Sequence, residues 1–362
     1  MKKILLVTAF PPNNKTAGQN YTKNLIKELS KENIIDIVSF SYKKHDFFDF
    51  NNKNVSYKKI IKNNIFTKIM GSFKFLLLFP FFTSRFSFRV LIYILKNLNE
   101  YDYIYLDFSQ VFIYGLFIKN KIKFLMAHDI IIQKYKRKSK NFFLKYWVKY
   151  SENLVLKAKD SNILCFSNKD LNLLNLEYNL SGNKVDFFIE KEIQNQEIKE
   201  VEDYFCFYGA WGRKENLESL KWFEENIRYK LDFNIKIIGG GLKEDYKKIL
   251  KDKGFEILGF VDNPYEILNK SKGLIAPLFN GAGVKVKVIE ALACGTPVIG
   301  TEVALEGIEL QNKFINKINS FEDIKKAIEN LKFLKVEDKK ELKIFFNRNY
   351  GKNKFIDLIK EC

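Results

Sequence analysis

Two lysines and a glutamate follow a glycine-containing turn in the segment FNGAGVKVKVIEALACGTPVIGT, residues 279–301. After the turn at residues 281–283, the periodic spacing of apolar residues predicts a helix with Lys285 and Lys287 at its start. The N–H groups at a helix start, the positive end of the helix dipole and two ammonium groups together favour a phosphate or diphosphate. Glu290, one turn beyond Lys287, is suited to accept hydrogen bonds from ribose hydroxyls. The spacing alone also fits an ordinary glycine turn before a helix, so both interpretations stay open on it.

The complete string, G-x-G-x-K-x-K-x-x-E-A-x-A-x-G-x-P-V-I-x-T, resembles the donor-binding segment of glycosyltransferase family 4, whose members have the GT-B fold. The resemblance implies that Glu290 contacts the ribose of a nucleotide sugar and that Lys287 acts in catalysis with it. The residues that it implies for the donor diphosphate in this segment are Gly281, Gly283, Val284, Lys285 and Lys287.

The segment departs from the family at one position. Many members have a pair of glutamates eight positions apart, of which the first lies near the donor sugar. Here the position eight before Glu290 is Ala282, so the sugar-facing acid is absent. We interpret this as a sub-type of the bacterial surface-polysaccharide glycosyltransferases and not as loss of activity.

Three further segments resemble the strands and loops of the family's donor domain. In FYGAWGRKENLESLKWF, residues 207–223, the resemblance implies that Arg213 and Lys214 lie against the diphosphate, and Asn216 is predicted to cap a helix. Exposed loop charges are the alternative for the two basic residues. The segments IIGGGL and ILGFVDN supply the residues that the resemblance implies for the nucleoside, which are Gly240, Gly259, Phe260 and Val261. Nothing in them distinguishes UDP from GDP.

The N-terminal half carries two features of the same family. TAFPPNNKTAGQNY resembles its first strand and small-residue loop, which implies that Gly18 approaches the donor phosphates. FLMAHDI places His128 just after a predicted strand, where family members often have a histidine that contacts the transferring sugar. A surface histidine in a turn is the alternative. Ser167 and Asp170 are predicted to start a helix by capping it.

Alternation of strand-like runs with helical patterns predicts an α/β protein with two Rossmann-like doubly wound domains, which in the GT-B fold face a cleft. The predicted bounds are 1–190 for an acceptor-binding domain and 191–337 for a donor-binding domain. Residues 338–362 are predicted to form a C-terminal helix that crosses back to the first domain. In open sheets of this kind, ligands bind at the carboxyl ends of the strands.

The net charge of +18 is concentrated in the first half of the chain. Residues 1–190 hold 31 basic and 15 acidic residues. Within this half, residues 50–99 hold nine basic residues, many aromatic ones and no acidic residue. This composition predicts contact with an anionic membrane surface through residues 50–99, with Lys68, Lys74, Arg85 and Arg89 toward the headgroups. A core segment with solvated lysines is the alternative. No nucleic-acid-binding module surrounds the stretch, so nucleic acid is not expected as a partner.

Scattered cysteines and only two histidines, His45 and His128, argue against a zinc or histidine-rich metal site. The short apolar run after the N-terminus predicts a buried first strand and not a signal peptide, which favours a cytoplasmic protein at the inner membrane face. No acidic pair resembles a D-x-D metal site, so we expect neither metal nor cofactor. Basic residues and helix N–H groups would then neutralise the leaving diphosphate.

The family transfers sugars with retention of anomeric configuration. The resemblance therefore implies a retaining glycosyltransferase that moves a sugar from a nucleotide-diphosphate sugar to a glycan or lipid-linked acceptor in lipopolysaccharide or capsule assembly. A nucleotide-sugar epimerase of the same fold and a non-catalytic nucleotide-sugar-binding scaffold are the alternatives. A dinucleotide oxidoreductase is disfavoured, because no G-x-G-x-x-G follows the first predicted strand. The donor sugar, the acceptor, the linkage and the oligomeric state cannot be inferred from the sequence.

Overall fold

A computed structural model describes residues 1–41, 46–62, 69, 75–187, 189–281, 283–350 and 354–361. His45, Lys68, Lys74 and Ala282 therefore lie outside the described residues, as does part of the basic stretch 50–99. The chain divides into two compact units, of which the first comprises Met1–Phe188 with Lys354–Cys362 and the second Ile189–Asn353.

The first unit contains a seven-stranded sheet with the order β3-β2-β1-β4-β5-β6-β7. All of its neighbouring strands are parallel. Its strands are β1 Lys3–Thr8, β2 Ile34–Ser41, β3 Val55–Lys62, β4 Tyr103–Asp107, β5 Lys123–Ala127, β6 Ser161–Cys165 and β7 Asn183–Lys184. Every residue of β1 after the first is buried, as a parallel strand covered on both faces requires.

The helices of the first unit surround this sheet. They are α1 Ala17–Leu29, α2 Pro80–Thr83, α3 Phe88–Asn97, α4 Ile131–Lys138, α5 Phe142–Leu156, α6 Asn168–Tyr178 and, from the C-terminal end of the chain, α14 Lys354–Glu361. A 3₁₀ segment, Ser109–Phe117, follows β4. The predicted cap of α6 is confirmed, because Ser167 accepts a hydrogen bond from the Asp170 N–H at 3.1 Å.

The second unit contains a six-stranded parallel sheet with the order β10-β9-β8-β11-β12-β13. Its strands are β8 Phe205–Tyr208, β9 Ile235–Ile238, β10 Phe255–Gly259, β11 Gly273–Ala276, β12 Val298–Gly300 and β13 Ile315–Lys317. Its helices are α7 Lys191–Gln194, α8 Lys214–Asn226, α9 Glu244–Asp252, α10 Pro264–Lys270, α11 Val286–Ala293, α12 Phe321–Leu331 and α13 Val336–Tyr350. This strand order is that of a Rossmann-like sheet, and the predicted α/β fold class with two such domains is confirmed.

The C-terminal segment differs in detail from the single helix predicted for residues 338–362. It forms two helices, and α13 belongs to the second unit whereas α14 belongs to the first. Phe355 of α14 explains this assignment, because its ring centroid lies 5.0 Å from that of Tyr105 and 5.2 Å from that of Phe124. Apolar packing against the first sheet thus holds the last helix there.

The expectation that Arg85 reaches toward lipid headgroups is wrong. Its Nε donates to the Ala9 carbonyl at 3.1 Å, and its guanidinium lies 5.3 Å from the centre of the Phe10 ring. The residue is only 5 % exposed. Arg85 therefore ties the loop after β1 to the core instead of facing solvent, whereas Arg89 is exposed.

Gly295 closes the turn between α11 and β12, the two elements that follow the glycine-containing loop. Its φ of +68° lies in the left-handed region, and a Cβ here would lie 2.8 Å from the Lys339 carbonyl oxygen and 2.7 Å from Ile198 Cδ1. Both the backbone conformation and the close packing of α13 therefore require glycine.

We predict that Gly295→Ala lowers the free energy of unfolding by about 1–3 kcal/mol, because it adds left-handed strain and a backbone clash. Urea unfolding followed by circular dichroism measures this loss. Gly212→Ala is the matched control, since a Cβ on Gly212 meets nothing within 4 Å. Equal stability of the two variants would contradict the prediction.

Candidate functional site

The start of α11 gathers positive charge at the carboxyl end of the second sheet. Lys285 is the residue before the helix, and the first helical hydrogen bond runs from the Val288 N–H to the Lys285 carbonyl at 2.8 Å. The N–H groups of Val286 and Lys287 therefore precede that bond, as the first N–H groups of any helix do. No acidic residue lies in the first turn of α11. The helix start accordingly carries the partial positive charge that favours an anion.

Lys287 points from this helix toward the end of β8. Its Nζ donates to Asn216 Oδ1 at 2.9 Å, and a Cβ built on Gly209 would lie 3.5 Å from the same Nζ. Burial, together with the charges of Lys285 and Arg213, lowers the pKa of Lys287 to about 8, although Glu215 opposes the shift. Because these surroundings disfavour the charged form of Lys287, a bound anion would stabilise its ammonium group.

Asn216 joins the loop after β8 to this lysine, a role that the sequence did not indicate. It was predicted to cap α8, but that helix begins two residues earlier, at Lys214, and its cap residue is Arg213. The Asn216 side chain instead donates to the Ala210 carbonyl at 2.9 Å and accepts from Lys287. Its amide thus holds the strand-end loop and the lysine in one arrangement.

Lys285 has a different environment from Lys287. Its Nζ lies 3.4 Å from Glu306 Oε2 and donates to the Gly283 carbonyl, and its side chain is 12 % exposed. The Gly281 position is tightly packed against the same side chain, because a Cβ there would lie 3.1 Å from Lys285 Cε. Lys285 therefore shapes the glycine-containing turn, while its charge adds to that around Lys287. Val284, beside it, is partly exposed.

Glu290 lies on α11 and is 8 % exposed. Its Oε1 accepts a hydrogen bond from the Tyr265 hydroxyl at 3.1 Å, and the Tyr208 hydroxyl also bonds with the carboxyl group. Burial raises the pKa of Glu290 to about 7, although the two tyrosines oppose the shift. A carboxylate can accept about four hydrogen bonds, so acceptor capacity remains for ribose hydroxyls beside the two phenols.

The loops after β9 and β10 hold the residues predicted for the nucleoside. The Gly239 N–H donates to the Gly259 carbonyl at 2.6 Å, which joins the two strand ends. Gly239 needs to be glycine, because its φ is +115° and a Cβ would lie 1.9 Å from the Gly209 carbonyl oxygen. Gly240, which the sequence singled out, accepts from the Trp211 N–H at 2.9 Å. Phe260 is 79 % exposed.

The other predicted phosphate ligands in this unit lie at its surface. Arg213 and Lys214 are exposed, and the Lys214 Nζ lies 3.6 Å from Glu218 on the same helix. Arg213 influences the pKa of Lys287, which places its charge near the start of α11. Val261, the residue after Phe260, is partly exposed.

A cavity of about 250 Å³, which the sequence did not indicate, opens at the carboxyl ends of β11, β12 and β13. Trp222 and Phe279 form part of its wall and pack edge to face, with ring centroids 4.9 Å apart. Phe279, the first residue of the segment that carries the glycine-containing turn, is thus part of this wall.

A second cluster forms in the first unit around His128. Its Nε2 lies 2.8 Å from Asp107 Oδ1, and its ring stacks on Phe108 with centroids 3.8 Å apart. A Cβ on Gly18 would lie 2.9 Å from the Phe108 ring and 3.3 Å from His128 Nδ1. The structure thus brings together Gly18 and His128, two residues predicted from separate segments, at the carboxyl ends of β1, β4 and β5.

Asp107 fixes the orientation of the His128 ring, a role that the sequence did not indicate. The Thr22 hydroxyl lies 2.6 Å from Asp107 Oδ2, and Asp107 is fully buried. An ionised carboxylate only accepts hydrogen bonds, so a neutral His128 carries its proton on Nε2 and presents Nδ1 toward Gly18 as an acceptor. Phe108, between the two, has a φ of +71°, a strained value for a residue with a side chain.

Residues 202–332 match the family model described as glycosyl transferases group 1. That range contains every predicted residue of the second unit. The match covers a little over a third of the chain, and over this range the chain resembles the glycosyltransferases of this group. The predicted resemblance to glycosyltransferase family 4 is confirmed.

Solved structures agree with this assignment at the level of the fold. HepE from Anabaena, in complex with UDP and glucose, is 12 % identical with a TM-score of 0.65, over 97 % of this chain and 96 % of that one. TarM from S. aureus, in a complex that includes UDP, is 12 % identical with a TM-score of 0.65, over 97 % of each chain. WaaG, a glycosyltransferase of lipopolysaccharide biosynthesis, is 11 % identical with a TM-score of 0.61, over 95 % of each. No curated protein matches the sequence.

Glu290 gives a testable pH dependence to this glycosyltransferase. The pKa of its carboxyl rises from 4.5 to about 7 on folding, so the protonated form stabilises the native state. That contribution is complete below pH 4.5 and is lost as the pH rises through 7. Glu290→Gln cannot ionise, so we predict that wild type loses about 2 kcal/mol of unfolding free energy relative to this variant between pH 5 and pH 8.

Chemical denaturation at the two pH values measures this difference. Glu225→Gln, an exposed glutamate on α8, is the control and should show no such change. A constant difference between wild type and Glu290→Gln at both pH values would contradict the predicted pKa.

Proposed function

We propose that this chain transfers a sugar, with retention of anomeric configuration and without a metal ion, from a nucleotide-diphosphate sugar to a glycan or lipid-linked acceptor in lipopolysaccharide or capsule assembly. The observation that carries the proposal is the arrangement of Lys287, whose partly buried ammonium lies at a helix start beside the carboxyl end of β8. The matched family range, residues 202–332, surrounds it.

The diphosphate is the ligand that best fits the charges at the start of α11. A diphosphate leaving group gains negative charge as the glycosidic bond breaks, and fixed positive groups stabilise that charge most when little water competes. Lys287, with Lys285 and Arg213 close enough to depress its pKa, offers such groups. The early N–H groups of α11 add directional donors. Metal independence remains a prediction that rests on this supply of positive charge.

The nucleoside is proposed to lie along the loops after β9 and β10. Glu290 accepts the ribose hydroxyls with the acceptor capacity that Tyr208 and Tyr265 leave. The exposed ring of Phe260 supplies an apolar surface for the base, and the main chain at Gly259 reads its edge. A buried and hydrogen-bonded carboxyl is rigid, so its contact with the ribose costs little additional ordering.

His128 is proposed to contact the transferring sugar through Nδ1. A neutral imidazole that donates from Nε2 to Asp107 presents an acceptor to a sugar hydroxyl. No described carboxylate is assigned as a nucleophile, so a same-face substitution is proposed, in which the leaving phosphate takes the proton of the acceptor hydroxyl. The Glu290 and Lys287 side chains serve the nucleotide end of this reaction.

The known complexes of similar proteins support the choice of donor. HepE was solved with UDP-glucose as well as with UDP and glucose, and the TarM complex includes UDP and alpha-GlcNAc-glycerol. We therefore place UDP first among the nucleotides to be tested. For the acceptor, WaaG and the galactosyltransferase WaaB act in lipopolysaccharide assembly, which supports an acceptor of that class.

We predict that the nucleotide of the donor stabilises the wild-type protein, by about 2.7 kcal/mol at 100 times its dissociation constant. Thermal unfolding with UDP, GDP, ADP or CMP measures the shift. Lys287→Ala should weaken binding of the active nucleotide at least tenfold, roughly the loss of one charge-assisted hydrogen bond, and lower sugar transfer about 100-fold. Stabilisation is compared with and without nucleotide, so any effect of the variant on the apo protein cancels.

Lys221→Ala, on the exposed face of α8, is the control for the charge change and should bind and turn over like wild type. Failure of all four nucleotides to stabilise the chain would reject the donor site. Tight nucleotide binding without transfer to any acceptor would support the binding scaffold instead.

We predict that Asp107→Asn lowers sugar transfer by at least about tenfold while nucleotide binding stays unchanged, because the amide no longer requires the proton on His128 Nε2. The loss should fall on kcat and leave KM for the nucleotide sugar unchanged, since the imidazole is misoriented while the nucleotide site is intact. Steady-state transfer assays and nucleotide titrations measure the two effects. Asp102→Asn, just before the opposite end of β4, is the control. A wild-type kcat in Asp107→Asn would contradict the positioning role.

A further inference from the structure

Several strongly exposed apolar side chains of the first unit lie on one helix and on the loop packed against it. At the start of α5, Phe142 is 70 % and Phe143 81 % exposed, and Tyr146 is 65 % exposed one turn later. In the loop before α2, Leu76 and Leu77 are 72 % and 83 % exposed. Large contiguous apolar surfaces of this kind mark interaction sites in soluble domains.

Direct contacts join the two segments into one surface. The Trp147 indole N–H donates to the Leu77 carbonyl at 2.8 Å, and the Phe79 ring packs edge to face on Trp147 with centroids 5.3 Å apart. Phe79 also packs against Tyr135 of α4 at 5.3 Å. The exposed aromatic row is therefore held on a rigid base. We name this surface, formed by Leu76, Leu77, Phe142, Phe143, Tyr146 and Trp147, the α5 face.

Basic residues flank the α5 face along the chain. Residues 131–150 contain seven lysines and arginines and no acidic residue. Lys134 and Lys140 are exposed in the segment that leads into α5, whereas Lys136 and Lys149 are ion-paired with Glu177 of α6. Exposed aromatic and leucine side chains with lysines nearby in the chain complement an anionic lipid surface, where apolar groups enter the acyl boundary and ammonium groups meet the headgroups.

We propose that the α5 face binds the surface of an anionic lipid bilayer. The proposal gives the membrane contact a location outside most of the basic stretch predicted from composition, since residues 131–150 were not part of it. No helix among the residues described by the structure is long and apolar enough to cross a bilayer. The proposal rests on the proposed function in one respect. A lipid-linked acceptor lies at a membrane surface, so membrane binding would bring the chain to its acceptor.

Vesicle binding tests the proposal without any nucleotide sugar, so its failure leaves the donor-site tests untouched. Sedimentation with vesicles of phosphatidylglycerol and phosphatidylethanolamine at low salt should retain the wild-type protein, whereas phosphatidylcholine vesicles should not. Phe142→Ser combined with Phe143→Ser should weaken binding at least about tenfold, because it removes most of the apolar surface. Phe333→Ser, at a phenylalanine of the second unit that is 77 % exposed, is the matched control.

Two further experiments test the contribution of the lysines to binding and the insertion of the α5 face into the bilayer. Lys140→Glu combined with Lys145→Glu should also release the protein, and Lys325→Glu combined with Lys326→Glu on α12 is its control. Brominated lipid should quench the fluorescence of Trp147, which lies on the α5 face, and Trp147→Phe should abolish that quenching. The remaining tryptophans, Trp211 and Trp222, belong to the second unit.

Four outcomes would overturn the proposal. They are failure of the wild-type protein to bind anionic vesicles, undiminished binding by the phenylalanine variant, undiminished binding by the charge variant, and absence of quenching in a bound wild-type protein. Wild-type self-association that the phenylalanine variant abolishes, without vesicle binding, would show instead that the α5 face joins two copies of the chain. Circular dichroism and thermal unfolding confirm that each variant is folded.

Discussion

Positive charge held at the start of one short helix is the constraint on which the second unit depends. Lys287 is kept beside the end of β8 by a neutral partner, Asn216, and no described carboxylate lies within ion-pairing distance of its Nζ. Lys285 adds its charge nearby, although Glu306 offsets it. Like charges gathered at the positive end of a helix destabilise one another, and an anion bound there would relieve that repulsion. The proposed affinity for a diphosphate and this repulsion thus have the same origin.

The two units place their functional groups by the same physical means. In each, parallel strands end together at one edge of the sheet, and groups far apart in the chain meet there. Asp107 at the end of β4 and His128 just after β5 form one pair in the first unit. Tyr208 at the end of β8 and Glu290 on α11 form another in the second. In both pairs a buried hydrogen bond fixes a titratable group, which gives it one orientation toward solvent.

Most of the fold could be predicted from the sequence, because buried parallel strands are continuous apolar runs. The strands without such a run are the two at the edges of the first sheet and the last of the second, β3, β7 and β13. β3 contains several lysines and is largely exposed, while β7 has two residues and β13 three. Edge strands bury little surface, so their sequences lack the apolar signal that identifies central ones. The placement of Lys285, Lys287 and Glu290 along one helix could also be predicted, because their spacing is local.

Hydrogen-bond partners that come from a different helix or strand could not be predicted from the sequence. Whether a charged side chain is buried or faces solvent could not be predicted either. Asn216, Tyr208, Tyr265 and Asp107 gain their roles only through contacts made across the fold. Composition identified the first half of the chain as basic, yet it treated Arg85 as a surface charge when that guanidinium is in the core. A count of charges specifies how strongly a domain is attracted to an anionic surface, whereas burial specifies which face turns toward it. The exposed aromatic row of α5 with its neighbouring lysines satisfies both conditions, and the basic stretch as a whole satisfies only the first.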